Sequence, residues 1–396
     1  MKIAIICPTY VPQTTSCAVQ IRDLAKELVD MGHEPIVLTP SKSFAEGGTV
    51  DFIENIPIYY LTAFKIDNVS LFRRAIAEIL LPFTMFLSLL RVQLSIKNFD
   101  GVIWYSPSIF LGPLAMYIKF RSKSKGYLIL RDMFPEWAVD LAIMRKGFAY
   151  YFFKLVAGFQ YSIADTIGVQ STSNLSYLSN WDEPSRRIEV LSNWLAPSKK
   201  IDKLTGINLS KFSERKLFVY IGNMGVAQGM DTLISLADSL KDRSDLGFVF
   251  VGRGSKKSKL IQQTQALGLT NILFYDEIPP NDIPALLGFC DVGLVALDPR
   301  HNSHNIPGKF LAYVESGLPI LARLSADTDL SKIILEWKVG TFYTGYSISE
   351  FSALALNLIE GKDELACMSN RCTELYKSEY LPSRAAKQIL ACFENV

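Results

Sequence analysis

Short apolar runs separated by amphipathic stretches recur through this 396-residue chain, and that alternation constrains the fold more than any single motif. A run of four to six apolar residues between polar turns reads as a strand buried on both faces. Such strands alternating with helical stretches form parallel sheets covered by helices. In the first half the runs fall at residues 3–7, 35–38, 58–61, 102–105, 127–130, 166–169 and 189–191. A helix over 18–31 follows the first run and ends at Gly32 and His33. Residues 198–216 are polar and charged and carry no apolar period. The pattern then restarts at 217–221, 247–251, 272–274, 292–296, 319–322 and 340–342, and closes on a helix over 381–394. The expected fold class is α/β, with two Rossmann-like, doubly wound domains. Residues 1–197 form the first and 198–380 the second, with a helix over 381–396 crossing back to the first. Ligands of such sheets bind beyond the carboxyl ends of the strands, so two domains facing a central cleft suit a two-substrate reaction.

Hydrophobic residues make up 49% of the chain, yet no stretch of about 18 residues is purely apolar, which argues against a transmembrane span. The first eight residues are too short for a signal peptide and read as a buried strand, so the chain is expected in the cytoplasm. The six cysteines lack the paired spacing of zinc sites and read as reduced thiols. Net charge is only +2, but residues 65–160 hold 13 Lys or Arg against 6 Asp or Glu and coincide with the most apolar part of the chain. A basic and greasy region fits an anionic membrane surface better than nucleic acid. Within it, residues 79–90 are flanked by Arg73, Arg74, Arg91 and Lys97. If they are helical, Thr84, Ser88, Arg91 and Ser95 form one polar stripe. Residues 148–159 are a second greasy run. Each can be core or a lipid-facing patch.

The most informative segment runs from His301 to Ala322. A polar loop turns at Pro307 and Gly308, a short helix carries Lys309 in its first turn and Glu315 further on, and Gly317, Leu318 and Pro319 lead into a strand. A lysine and free amides at a helix start suit a phosphate, and a carboxylate suits sugar hydroxyls. Two glycine-rich turns follow earlier strands. Gly222, Asn223, Gly225 and Gln228 form the first, where glycines permit close backbone approach and amides near Gly229 could hold phosphate. Gly252, Arg253 and Gly254 form the second, where a guanidinium could grip a diphosphate with two parallel bonds. His301 and His304 lack a third metal ligand, so no metal is expected there. In the first half, Asp132 follows a strand and Glu136 lies four residues on, so both could face one side of a helix. Thr15 and Ser16 suit the cap of the first helix.

On these motifs the chain resembles the retaining glycosyltransferases of the GT-B fold, in the bacterial family 4 group. The likeness runs from residues 5–10 through 32–34, 191–194 and 222–225 to 306–319. Residues 131–136 and 227–231 are similar to a subset that includes N-acetyl-L-fucosaminyl transferases of O-antigen and capsule assembly. The resemblance implies a UDP-sugar donor held by the second domain, a lipid-linked (polyprenyl diphosphate) sugar acceptor held by the first, and neither metal nor other cofactor. It implies catalytic roles for Asp132, Glu315, Lys309 and Arg253. Donor contacts would come from Gly222, Asn223, Gly225, Gln228, Gly252, Arg253, His304, Asn305, Lys309 and Glu315. The chain departs from the group in three places. Pro307 stands where the first of two glutamates is usual, and Asn223 and Gln228 stand where an arginine and a lysine are common. Phosphate neutralisation would then rest on Arg253 and Lys309, with Arg323 in reserve. Two rival readings remain: a nucleotide-sugar epimerase or hydrolase on the same fold, and a non-catalytic nucleotide-sugar-binding subunit.

Overall fold

A computed structural model describes residues 1–41, 44–64, 71–140, 143–198, 206–297 and 306–394. They form two compact units: Met1–Trp194 with Pro382–Val396, and Leu195–Leu381.

The sheet of the first unit has eight strands: β1 (Lys2–Ile6), β2 (Glu34–Pro40), β3 (Thr49–Ile53), β4 (Ile56–Leu61), β5 (Gly101–Tyr105), β6 (Lys125–Leu130), β7 (Thr166–Val169) and β8 (Arg187–Val190). Their order is β3-β4-β2-β1-β5-β6-β7-β8, and every pairing is parallel except the β3–β4 hairpin. Helices α1 (Ser16–Asp30), α2 (Leu71–Arg91), α3 (Gly112–Ser122), α4 (Glu136–Asp140) and α5 (Phe148–Ile163) connect them. Strand alternation divides the core. Ile3 and Ile5 pack in one cluster with Ile21 and Leu24 of α1. Ala4 and Ile6 pack in another with Met85 of α2, Leu114 of α3 and Tyr161 of α5. The Thr15 hydroxyl caps α1, accepting from the Ala18 amide at 3.2 Å.

The second sheet contains β9 (Lys216–Ile221), β10 (Leu246–Val251), β11 (Ile272–Tyr275), β12 (Val292–Ala296), β13 (Ile320–Arg323) and β14 (Gly340–Tyr343), all parallel, in the order β11-β10-β9-β12-β13-β14. Its helices are α6 (Asp231–Ser239), α7 (Lys257–Ala266), α8 (Ile283–Leu287), α9 (Gly308–Glu315), α10 (Asp329–Trp337), α11 (Ile348–Glu360) and α12 (Lys362–Glu379). Phe218 and Tyr220 face α6 and α11, while Leu217, Val219 and Ile221 face α9, α10 and α12. Ile207 and Phe212, in the stretch read as polar and charged without an apolar period, are buried in this unit. Helix α13 (Pro382–Glu394) then joins the first unit, where Ile389 and Phe393 pack with Ile3 and Ile103. Among the described residues no helix is long and apolar enough to cross a membrane.

Candidate functional site

Strand order reverses at β9, whose neighbours β10 and β12 lead the chain to opposite sides of the sheet. Open parallel sheets bind ligands at such a switch point. Here the turns after β9 and β10 lock together. The Gly222 amide donates to the Val251 carbonyl at 2.9 Å and the Met224 amide to the Arg253 carbonyl at 2.7 Å. Gly252 has φ +151°, and a Cβ there would sit 1.9 Å from the Gly222 oxygen. Gly254 has φ +150°, and its Cβ would meet the Met224 backbone at 2.5 Å. These two glycines are therefore required by the approach of one turn to the other. In the first turn the Gln228 and Gly229 amides are spent on Gly225 and Val226 carbonyls, so they are not the phosphate donors expected near Gly229.

Lys309 enters this corner from the first turn of α9. Tyr313, one turn further on, positions the helix. Its hydroxyl accepts from the Ile221 amide at 3.0 Å and lies 3.1 Å from the Val219 carbonyl. The ring occupies space left by Gly293 on β12, where a Cβ would be 2.5 Å from it. The Lys309 side chain then passes over Gly222. Its ammonium lies 3.6 Å from the centre of the Tyr220 ring and donates to Gln228 Oε1 at 3.0 Å. The Tyr220 hydroxyl lies 3.0 Å from the same oxygen and 2.7 Å from the Asn223 carbonyl. No carboxylate among the described residues pairs with Lys309, and burial alone pushes its ammonium down to about 7. A cation held by a ring face and an amide oxygen is short of negative charge. The Phe310 amide donates to the Pro307 carbonyl at 3.0 Å, while the Gly308 and Lys309 amides at the start of α9 have no partner among the described residues and add positive potential at the same end. Tyr220 and Tyr313 lie inside the two motifs, and neither is given a role by the sequence alone. The signals that could have found them are a tyrosine near the end of a central strand and one four residues after a helix-start lysine.

Arg253 stands differently. Its side chain is 78% exposed and its Nε lies 3.1 Å from Glu277 Oε2. Glu315 lies six residues beyond Lys309, which at 100° and 1.5 Å per residue puts it on another face about 9 Å along the helix. Both of its oxygens are occupied by Ser198, one by the amide at 3.0 Å and the other by the hydroxyl at 3.1 Å. Gly222 and Asn223 are exposed and Gly225 is half-buried. His304 and Asn305 lie outside the described residues, as does His301. Among the described residues no group of three or more His, Cys, Asp or Glu is placed to hold a metal ion.

In the first unit Asp132 is half-buried in the loop after β6, and α4 begins only at Glu136. The two carboxylates therefore do not share a helix face as expected, and Glu136 instead lies 3.6 Å from Lys154. The adjacent Arg131 is buried. Its guanidinium donates to the Leu191 and Ser192 carbonyls and stacks 5.0 Å from the Trp194 ring, so it pins the end of the first unit's sheet.

Residues 207–374 match the family model described as "Glycosyl transferases group 1". The chain is 24% identical over 285 residues to "Probable glycosyltransferase WbjE" of Pseudomonas aeruginosa, an alignment covering 68% of each chain. Among solved structures it is similar to HepE of Anabaena in complex with UDP-glucose, with a TM-score of 0.70, 14% identity and all of both chains covered. It is also similar to WaaG, a glycosyltransferase involved in lipopolysaccharide biosynthesis, with a TM-score of 0.63 and 16% identity over 98% of this chain and 99% of that one. The two sheets and these likenesses give the chain a GT-B fold, and most of its second unit matches the glycosyl transferases group 1 model.

Proposed function

We propose that this protein is a retaining, metal-independent hexosyl-type glycosyltransferase acting at the inner face of the cytoplasmic membrane. It moves a sugar from a UDP donor to a lipid-linked, polyprenyl-diphosphate sugar acceptor in O-antigen or capsule assembly. The observation that carries this reading is Lys309, a cation enclosed at the switch point of the second sheet with no described carboxylate beside it. A diphosphate supplies the missing charge. HepE was solved with UDP-glucose and WaaG is named for lipopolysaccharide biosynthesis, and both support the donor and pathway classes assigned here.

In the proposed reaction the bond between the sugar C1 and the β-phosphate oxygen breaks as the acceptor hydroxyl attacks C1 from the same face. The departing phosphate oxygen takes the hydroxyl proton. Lys309 and the first amides of α9 stabilise the charge that gathers on the leaving diphosphate. Asp132 is assigned to orienting the sugar, and Glu315, once released by Ser198, to accepting bonds from ribose hydroxyls. His304 and Asn305 are assigned to the donor sugar. Arg253 is assigned to the diphosphate, exchanging Glu277 for it.

A thermal-shift screen of nucleotide sugars, with UDP-N-acetyl-L-fucosamine first, identifies the donor, since a ligand of the folded state raises its apparent stability. Lys309→Ala and Glu315→Ala each reduce transfer strongly with the fold intact. Unchanged turnover in both removes the assignment. Donor binding without transfer across a panel of acceptors turns it into the non-catalytic reading.

A further inference from the structure

Helix α2 is apolar on its outward face as well as its inward one. Leu81, Met85 and Leu89 pack inward, and Ser88 is buried beside them with no partner for its hydroxyl. The outward face is apolar: Ile79, Leu80, Phe83, Leu87 and Leu90 are all exposed, Phe83 by 61%. These positions recur at three- and four-residue steps, so they form one stripe. Helix α5 repeats the arrangement with Phe148, Tyr151, Leu155 and Phe159, of which Phe148 is 91% exposed.

Helix α3 packs between α2 and α5, joined to α2 by an edge-to-face contact of Phe86 and Tyr117 at 4.8 Å. Its own outward residues are Met116 and Phe120, the latter 78% exposed. All three helices return between parallel strands, so they run in one direction on the same side of the first sheet. The exposed apolar side chains thus form one continuous face, far more than the scattered exposed residues of an ordinary surface. Exposed cations stand at both ends of it. Arg91, Arg121 and Lys123 lie where α2 and α3 finish, and Arg145 and Lys146 lie just before α5. None of the five makes an ion pair with a described carboxylate. Aromatic side chains with a basic fringe match the boundary of an anionic bilayer, where rings sit at headgroup level and Lys and Arg meet phosphate.

We propose that the α2–α3–α5 face of the first unit docks on an anionic lipid bilayer, with the start of α5 as its leading edge. This rests on the lipid-linked acceptor of the proposed reaction and names the surface that meets it. The start of α5 lies toward the carboxyl edge of the first sheet, the edge that carries Asp132. Docking there places that edge beside the headgroups, where a polyprenyl diphosphate presents its sugar.

Flotation of the full chain with phosphatidylcholine vesicles, with and without about one third phosphatidylglycerol, tests this. The wild type is expected to float with the anionic vesicles and at least about tenfold less with the neutral ones. Phe148→Ser, Tyr151→Ser and Leu155→Ser together, and Arg145→Glu with Lys146→Glu, are each expected to reduce flotation at least about tenfold. All five side chains are exposed, so folding is unaffected, and UDP affinity, a property of the second unit, stays at the wild-type level. Wild-type protein that stays at the bottom with anionic vesicles overturns the proposal. So does a dimer in sedimentation equilibrium that the triple serine variant dissolves without any vesicle binding, because the face then belongs to a second copy. UDP binding lost with flotation intact instead strikes the donor assignment and leaves the docking face standing.

Discussion

Lys309 and Arg253 both stand at the carboxyl edge of the second sheet, and they differ in almost every physical respect. Lys309 is enclosed, lies over an aromatic ring and faces an amide oxygen, without a described carboxylate. Arg253 is largely in solvent and paired with Glu277. A screened surface pair contributes at most about 1 kcal/mol and exchanges partners freely. An unneutralised, desolvated ammonium costs stability until an anion arrives, so it converts ligand charge into affinity. The contrast teaches that the glycines around Arg253 mark packing of one turn against another, and it ranks Lys309 ahead of Arg253 as the cation to test.

The harshest way to break this comparison is Gly252→Ala. Its Cβ has no room beside the Gly222 oxygen and the backbone is in a glycine region, so a loss of at least about 3 kcal/mol is expected, read as reduced soluble yield and a lower midpoint in urea. Next comes Lys309→Met, expected to weaken UDP binding about 100-fold by calorimetry, since bonds to charged groups lie at the strong end of the range. The same variant is expected to be more stable without ligand, by about 5 °C at pH 6.

The sign follows from the depressed value. Lys309 titrates near 7 when folded and near 10.5 when unfolded, so the unfolded chain binds the proton more readily. The cost is fully present below pH 7 and fades as pH rises toward 10.5, and the stability gained by Lys309→Met fades with it. Diphosphate binding needs the charged form. UDP affinity is therefore expected to fall about fivefold from pH 7 to pH 8, with uptake of close to one proton at pH 8, whereas Lys309→Arg flattens the fall. An effect of the same order, about fivefold on UDP affinity, is expected for Gln228→Ala, which removes the oxygen that orients the ammonium. Arg253→Ala comes last, within about threefold. A larger loss from Arg253→Ala than from Lys309→Met would reverse the comparison.

Legibility in the sequence followed burial. Strands β1, β5, β9 and β10 are buried along most or all of their length, so each had to be written as an apolar run and was readable. Strand β3 (TVDFI) is an exposed edge paired, among the described residues, with β4 alone, so nothing forced an apolar run and it left no signal. Lys309 was readable because a lysine after Pro-Gly at a helix start is a local pattern. The roles of Tyr220, Tyr313 and Gly293 were not, because each depends on a residue distant in sequence.

The chain by itself determined two parallel α/β sheets, the turn at Gly222, the helix start at Lys309 and the greasy, basic character of residues 65–160, all consequences of short-range periodicity and local backbone preference. Tertiary structure alone decided which cation is enclosed and which is solvated, that Ser198 holds Glu315, and that the apolar faces of α2 and α5 point outward. Desolvation, charge pairing and exposure arise from neighbours far apart along the chain, and no local pattern encodes them.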